Sequence, residues 1–139
     1  MIGKVIKINI SKERGVVKDS VESVEVIENF GLKDDGHAGD WDNQVSIFPI
    51  EALTKVPDSM KDEVSLGGFT ENFTIEGIAL EDLNIGVRLK IGQAEIEIKS
   101  IGKEVFKEHD RHYIVSREGR FGRVIKSGIV RIDDEVNVI

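Results

Sequence analysis

The sequence contains no cysteine, and it has only two prolines and one tryptophan among its 139 residues. A chain without cysteine forms no disulfide, holds no zinc through thiolates and carries no nucleophilic or persulfide-bearing sulfur. No apolar run approaches the length of a transmembrane helix, and the first residues, MIGKVIKI, alternate apolar and polar positions instead of forming a signal peptide. We therefore expect a cytoplasmic protein with no membrane-embedded part.

A broad basic surface is also missing, because the formal net charge is -7. This charge argues against nucleic acid as a partner, since a phosphate backbone attracts clustered Lys and Arg. A local basic pocket for a small anion is still compatible with it. With 40% hydrophobic and 32% charged residues the composition is globular, and the length predicts one domain over residues 1–139.

Alternation of apolar and polar residues predicts β-strands over residues 1–10, 21–27 and 86–98, and a strand, a turn and a strand over residues 128–139. The clearest signal is a hairpin that turns at Gly92-Gln93. Its inner face is predicted to carry four apolar side chains: Leu89, Ile91, Ala94 and Ile96. Its outer face is predicted to carry two charge pairs: Lys90 with Glu95 and Arg88 with Glu97.

Helical signals are few and short. Residues 49–53 can form one turn, because Pro49 suits the first position of a helix, and residues 82–83 can belong to a similar piece. Fourteen glycines separate the short strands, without regular alternation of strands and helices. The predicted fold class is mostly β, a closed or nearly closed β-barrel with a few short helices.

Several sequence blocks resemble, in order and spacing, the MOSC family, the domain named after the C-terminal part of molybdenum cofactor sulfurase. The blocks span nearly the whole chain: residues 10–15, 31–41, 44–46, 68–74, 101–104 and 117–122. The resemblance implies a MOSC-like β-barrel and an association with molybdenum cofactor. Such a domain would carry sulfur to the cofactor or bind its pterin and phosphate.

The chain departs from this family where its chemistry is expected. Relatives usually have a cysteine, the proposed sulfur carrier, where Val105 follows Gly-Lys-Glu, and residues 106–113 contain no replacement. Persulfide transfer needs a thiolate, so the family's proposed covalent step cannot run on this chain. The catalytic residue is therefore unknown, and we expect no pyridoxal-phosphate domain in this chain.

The loop Gly36-His37-Ala38-Gly39-Asp40 places an imidazole and a carboxylate between glycines, where the backbone can approach a ligand. His37 and Asp40 are therefore predicted to bind the cofactor; in the alternative, they only hydrogen-bond a tight turn. Trp41 either stacks on a flat ligand or packs half-buried. No metal site is expected, because no third and fourth ligand stand at a supporting spacing.

Asn72 and Thr74 are predicted to recognise a pterin edge or a phosphate oxygen through their amide and hydroxyl groups. The alternative is that these side chains cap a loop or pair with strand ends. The neighbouring Glu71 is expected to be solvated or ion-paired.

Lys103 and Arg117 are predicted to bind an anionic group of the cofactor. Arg120 and Arg123 are interpreted as surface charges paired with Glu104 and Glu118. Two histidines within residues 109–112 are interpreted as part of an exposed loop, because successive loop residues rarely converge on one ion.

The leading hypothesis is a MOSC domain that binds molybdenum cofactor or a related pterin or anionic ligand, without its own sulfur carrier. Its protein partner would belong to cofactor biosynthesis or be a molybdoenzyme. Two alternatives stay open: a sulfur or metal transferase that uses a partner-supplied thiol, and a non-catalytic interaction scaffold. The leading hypothesis predicts that His37, Asn72, Lys103 and Arg117 line one cleft.

Overall fold

The computed structural model describes residues 2–10, 19–55, 71–102 and 119–139. These residues form eleven strands: β1 Ile2–Ile10, β2 Asp19–Val21, β3 Ser23–Ile27, β4 Gly31–Leu32, β5 Val45–Pro49, β6 Phe73–Glu76, β7 Arg88–Ile91, β8 Ala94–Ile101, β9 Arg120–Lys126, β10 Gly128–Arg131 and β11 Glu135–Val138. They also form two short 3-10 helices: Ile50–Lys55 and Leu80–Asp82. Within these ranges, no helix has the length and apolar character needed to cross a membrane.

Seven strands close into a barrel in the order β1, β11, β7, β8, β9, β5 and β6, with β6 returning to β1. β5 and β6 are parallel, and the other neighbouring strands of the barrel are antiparallel. β2 extends the sheet beside β1, while β10, β3 and β4 form a second small sheet. This architecture confirms the predicted mostly β, barrel-type fold with short helices.

The hairpin predicted over residues 86–98 is present as β7 and β8, which pair across Gly92-Gln93. All four apolar side chains that were predicted to face inward are fully buried: Leu89, Ile91, Ala94 and Ile96. Outside, Arg88 Nε donates to Glu97 Oε1 over 3.1 Å as predicted. Glu95 lies opposite Lys90 in register, but its carboxylate forms its ion pair with Lys126 of β9 at 3.8 Å.

The remaining sequence predictions of secondary structure hold with small shifts. Residues 128–139 form β10, a turn and β11, and the strand predicted over residues 1–10 is present as β1, Ile2–Ile10. Pro49 ends β5 instead of starting a helix, and the predicted turn follows as the 3-10 helix Ile50–Lys55.

The barrel interior is filled by alternate residues of its strands, and these form one continuous hydrophobic cluster. Phe73 and Ile75 of β6 belong to this cluster, so Thr74 between them faces outward. Outward side chains of a barrel are usually exposed, but here both Thr74 and the neighbouring Phe48 of β5 are buried, at 1% and 0% exposure. The outward face of β5 and β6 is therefore a second buried surface, and it contains polar groups.

Candidate functional site

A cluster of polar residues surrounds Arg123 where β9 passes the loop that leads into β5. Its guanidinium donates three hydrogen bonds, from Nε to Asp42 Oδ1 at 2.8 Å and from Nη1 to Asp40 Oδ1 at 2.9 Å and Asn29 Oδ1 at 2.8 Å. The bonds to Asp42 and then to Asp40 raise the pKa of the Arg123 side chain above its ordinary value. Arg123 is thus paired with these two aspartates; Glu104 and Glu118, the predicted partners, lie outside the described residues.

The same loop is tied to β9 by two bonds to the backbone of Val124, the residue that follows Arg123. Asn29 N donates to Val124 O at 2.9 Å, and Val124 N donates to Gln44 Oε1 at 3.0 Å. Gln44 is fully buried, so the bond from Val124 N to its side chain is shielded from water. We call Asn29, Asp40, Asp42, Gln44 and Arg123 the Arg123 cluster; it fixes residues 29–44 against the barrel.

His37 and Trp41 stand at the tip of this loop as a parallel ring pair. Their ring centroids are 6.4 Å apart with an interplanar angle of 4°, and Trp41 Nε1 donates to the His37 carbonyl at 2.6 Å. Asp35 supports the turn, because its Oδ2 accepts from His37 N at 3.2 Å and lies 3.9 Å from His37 Nδ1. The His37 side chain keeps 28% exposure, so the pair presents part of its surface to solvent.

Asn72 lies just before β6 and connects three strands through its amide. Its Oδ1 accepts from Ser46 N at 2.9 Å and Ser46 Oγ at 3.1 Å, and its Nδ2 donates to Asn9 O at 3.1 Å. Ser46 Oγ in turn accepts from Asn72 N at 2.9 Å. These contacts match the alternative reading, in which the side chain pairs with strand ends; a ligand role for Asn72 stays a prediction.

Thr74, two residues further on, differs from Asn72 in one respect. It is 1% exposed, and its Oγ1 has no hydrogen-bond partner among the residues that the structure describes. A buried hydroxyl without a partner costs about 1–3 kcal/mol relative to a paired one. Glu71, which was expected to be solvated or ion-paired, is only 7% exposed, so the expectation of a solvated carboxylate is wrong.

Arg120 is also placed differently from its interpretation as a surface charge. It is 4% exposed, and it donates from Nε to Leu83 O at 3.1 Å and from Nη2 to Leu80 O at 3.3 Å. Arg120 therefore binds backbone carbonyls around the second 3-10 helix, which are acceptors that water does not reach easily.

The other predicted site residues, Lys103 and Arg117, lie outside the described residues, as do Val105 and the histidines of residues 109–112. Gly102 and Gly119, the described residues on either side of this segment, are hydrogen-bonded, with Gly102 N donating to Gly119 O at 2.8 Å. Whether Lys103 and Arg117 share a cleft with His37 and Asn72 stays a prediction. Among the described residues, no group of three or more His, Asp or Glu could hold a metal ion.

Two open surface concavities, of about 420 and 290 Å³, lie elsewhere on the barrel. The larger is acidic, with Glu51, Glu76, Asp133 and Glu135 around Lys4. Neither concavity is lined by a predicted site residue, and an excess of carboxylates does not favour a phosphate.

Comparison with known proteins places the chain in a family. The model of the MOSC domain matches residues 34–137, so the chain belongs to the MOSC domain family. Similar solved structures include the YuaD protein from Bacillus subtilis, with 16% identity over 99% of this chain and 96% of that one and a TM-score of 0.73. YiiM from Escherichia coli is 19% identical over 100% of this chain and 70% of its own, with a TM-score of 0.70.

YiiM from Geobacillus stearothermophilus is similar to the same degree, at 17% identity over 99% of this chain and 75% of its own with a TM-score of 0.69. At these identities the likeness establishes the fold alone. No curated protein matches the sequence significantly.

The family is associated with molybdenum cofactor, and the described residues fit one part of that ligand better than the other. The partly exposed His37–Trp41 pair suits a flat heterocycle such as a pterin. Arg123 does not suit the phosphate, because Asp40 and Asp42 already compensate its charge and leave the cluster net negative. The cation for a phosphate must therefore come from another part of the chain, and Lys103 and Arg117 are the predicted sources.

Sequence reasoning missed Asn29, Asp42 and Gln44 as the residues that hold the His37 loop. Asp42 stands two residues after Asp40 of the predicted loop, which was a usable signal. Asn29 offered none, because its partner Arg123 is 94 residues away in the sequence.

Proposed function

We propose that this MOSC domain binds molybdenum cofactor, or a related pterin carrying an anionic group, without forming a covalent sulfur intermediate. The protein would act in the cytoplasm, in molybdenum cofactor metabolism, beside a biosynthetic or molybdoenzyme partner. His37 and Trp41 would contact the flat ring, while Lys103 and Arg117 would supply positive charge for the anionic group.

The observation that carries this proposal is the combination of family membership with the complete absence of cysteine. The family link to molybdenum cofactor supports the ligand class. The missing thiol removes sulfur transfer through the chain itself, because only a cysteine thiolate can attack a sulfur donor and then hold the outer sulfur. Together the two facts support non-covalent binding over sulfur transfer through this chain.

The direct experiment is an anaerobic titration of the purified protein with molybdopterin. Trp41 is the only tryptophan of the chain, so ligand stacking beside it should quench the intrinsic fluorescence saturably, with one ligand per chain. His37→Ala and Lys103→Ala should each weaken binding about tenfold, since each removes one contact to the ligand. Calorimetry that detects no binding to the unmodified protein would refute the proposal.

A sulfur-labelling experiment separates this proposal from a sulfur transferase. Incubation with a cysteine desulfurase and radiolabelled cysteine should leave no reductant-releasable label on the protein, whereas Val105→Cys should create a labelling site. Reductant-sensitive label on the unmodified chain would contradict the non-covalent proposal. A Val105→Cys variant that stays unlabelled would show that more than the thiol is missing.

A further inference from the structure

The unpartnered hydroxyl of Thr74 calls for a partner. Buried hydroxyl groups in proteins are nearly always hydrogen-bonded, and an exception is often a place where a ligand or ion is bound. Thr74 does not face the hydrophobic interior of the barrel, where no polar ligand could supply the missing hydrogen bond. It faces the outer side of the barrel between β1 and β5.

Lys7 is the cross-strand neighbour of Thr74 on β1. Directly opposed residues of antiparallel strands have their side chains on the same face, with Cβ atoms about 5 Å apart. The side chain of Lys7 therefore starts from the same outer face as Thr74. Its four-carbon stem is long enough to bring the ammonium group near the Thr74 hydroxyl. Lys7 is itself partly buried.

The position of Lys7 depends on an irregularity in β1. Val5 pairs with Ile75 and Lys7 with Thr74, so two steps along β1 correspond to one step along β6. Such a bulge turns the following side chain onto the other face, and bulges are frequent beside binding sites. Without the extra residue, Lys7 would follow the parity of Val5 and point into the core.

Lys7 differs from Lys4 and Arg123 in having no ion pair among the residues that the structure describes. Lys4 lies 3.7 Å from both Glu76 and Asp133, and Arg123 contacts two aspartates. Lys7 makes no ion pair with any residue in the described ranges, although the chain has 26 acidic and 19 basic residues. A partly buried ammonium without a counter-ion in an acidic protein is available to an external anion.

We propose that Lys7 and Thr74 form an anion-binding subsite on the outer face of β1 and β6, which takes the phosphate or carboxylate group of a small ligand. The ammonium compensates the negative charge, and the hydroxyl donates a hydrogen bond to one oxygen. The bonds among Asn72, Ser46 and Asn9 hold the adjoining strand ends rigid. The subsite rests on the proposed function in one respect, that the ligand of this domain carries an anionic group.

The test uses inorganic phosphate as the probe, without any pterin. Thermal unfolding of the full chain is measured against phosphate concentration at constant ionic strength, with chloride as the balancing anion. The unmodified protein should gain several degrees in Tm with a saturable dependence. Lys7→Met should weaken the apparent affinity for phosphate at least tenfold, whereas Lys90→Met, which removes an exposed lysine from β7, should leave it unchanged.

Thr74→Val gives a second, opposite readout. It removes the unpaired hydroxyl at nearly the same shape, so the variant should unfold at a higher Tm than the unmodified protein in the absence of phosphate. The same variant should lose most of the phosphate response, and Thr74→Ser should retain it. A variant that is more stable without phosphate and yet responds less to phosphate cannot be explained by impaired folding.

Equal phosphate responses of the unmodified, Lys7→Met and Thr74→Val proteins would overturn the subsite, as would the absence of any response. A phosphate response that depends on Lys7 and Thr74 supports the subsite even if molybdopterin fails to bind, in which case only the proposed function falls. Molybdopterin binding without a phosphate response, and unchanged in Lys7→Met, overturns the subsite and leaves the proposed function standing.

Discussion

The Arg123 cluster and the Lys7–Thr74 pair are two polar regions on the outside of one barrel, and they differ in how far their groups are satisfied. Around Arg123, the cation meets two carboxylates and an amide oxygen within 2.9 Å. Around Thr74, a buried hydroxyl has no partner in the described structure, and Lys7 beside it has no counter-ion. The first region uses its polar groups to fix a loop, whereas the second keeps them available for a ligand.

Removing the amide of Asn72 should produce the largest effect, because this side chain makes three buried hydrogen bonds close to the unpaired Thr74 hydroxyl. Asn72→Ala leaves Ser46 N and Asn9 O without their partners, so we expect a loss of about 3 kcal/mol in the free energy of unfolding. Urea unfolding would measure it, with the partly exposed Asn137→Ala as a control. A loss below about 1 kcal/mol would show that the network is not a structural element.

Gln44→Leu should cost somewhat less, about 2 kcal/mol, because one buried N–H, that of Val124, loses its acceptor. The matched control is Gln93→Leu. Gln93 Oε1 likewise accepts from a backbone N–H, that of Ile129, but at an exposed position where water can replace it. Equal losses in the two variants would contradict the argument that burial makes the Gln44 bond important.

Arg123→Met should act mainly on the loop and only weakly on the barrel. The variant keeps the Asn29 and Gln44 bonds to Val124 but loses the contacts to Asp40 and Asp42. Trp41 fluorescence should therefore show lower anisotropy and easier quenching by acrylamide, with partial recovery in Arg123→Lys. Arg88→Met, which breaks a surface pair with Glu97, is the control; unchanged Trp41 mobility in Arg123→Met would refute the clamping role of Arg123.

The smallest effect is expected from the ion pairs on the barrel surface. Hydrogen bonds from Lys99 and then Arg88 lower the pKa of Glu97 below its ordinary value. The stabilisation is therefore present above the unfolded-state pKa and disappears as the pH falls through the folded-state pKa. Glu97→Gln should cost at most about 1 kcal/mol at pH 7, and the difference from the unmodified protein should vanish once the pH has fallen below the folded-state pKa of Glu97. A difference that stays constant with pH would mean that charge is not its cause.

The sequence predicted those parts of the molecule whose contacts are local. The β7–β8 hairpin followed from alternation and a two-residue turn, because its pairing partners are at most nine residues apart. The parallel pairing of β5 and β6 had no such signal, since parallel strands need a long connection.

The site was less predictable for the same reason. His37 and Asp40 were singled out from a local glycine pattern, but the cation bound to Asp40 is 83 residues away. Arg120 was interpreted as a surface charge because no sequence pattern indicates that it donates to the backbone carbonyls of Leu80 and Leu83. The role of Lys7 was not predicted, because residues 1–10 alternate like a regular strand in which a lysine faces solvent. The bulge between Val5 and Lys7 has no signal in the sequence.

The closure of the barrel by β1 and β11 has a consequence for how the protein reaches its native state. Ile2 pairs with Asn137 and Lys4 with Glu135, so the first strand cannot complete its hydrogen bonds until nearly the whole chain has left the ribosome. Contacts between such distant residues slow folding and leave a strand edge unpaired in the meantime. Gly3 adds a restriction to this closure, because a Cβ at this position would collide with the Glu76 carbonyl of β6. Newly made chains should therefore depend on chaperones more strongly than the stability of the finished barrel would suggest.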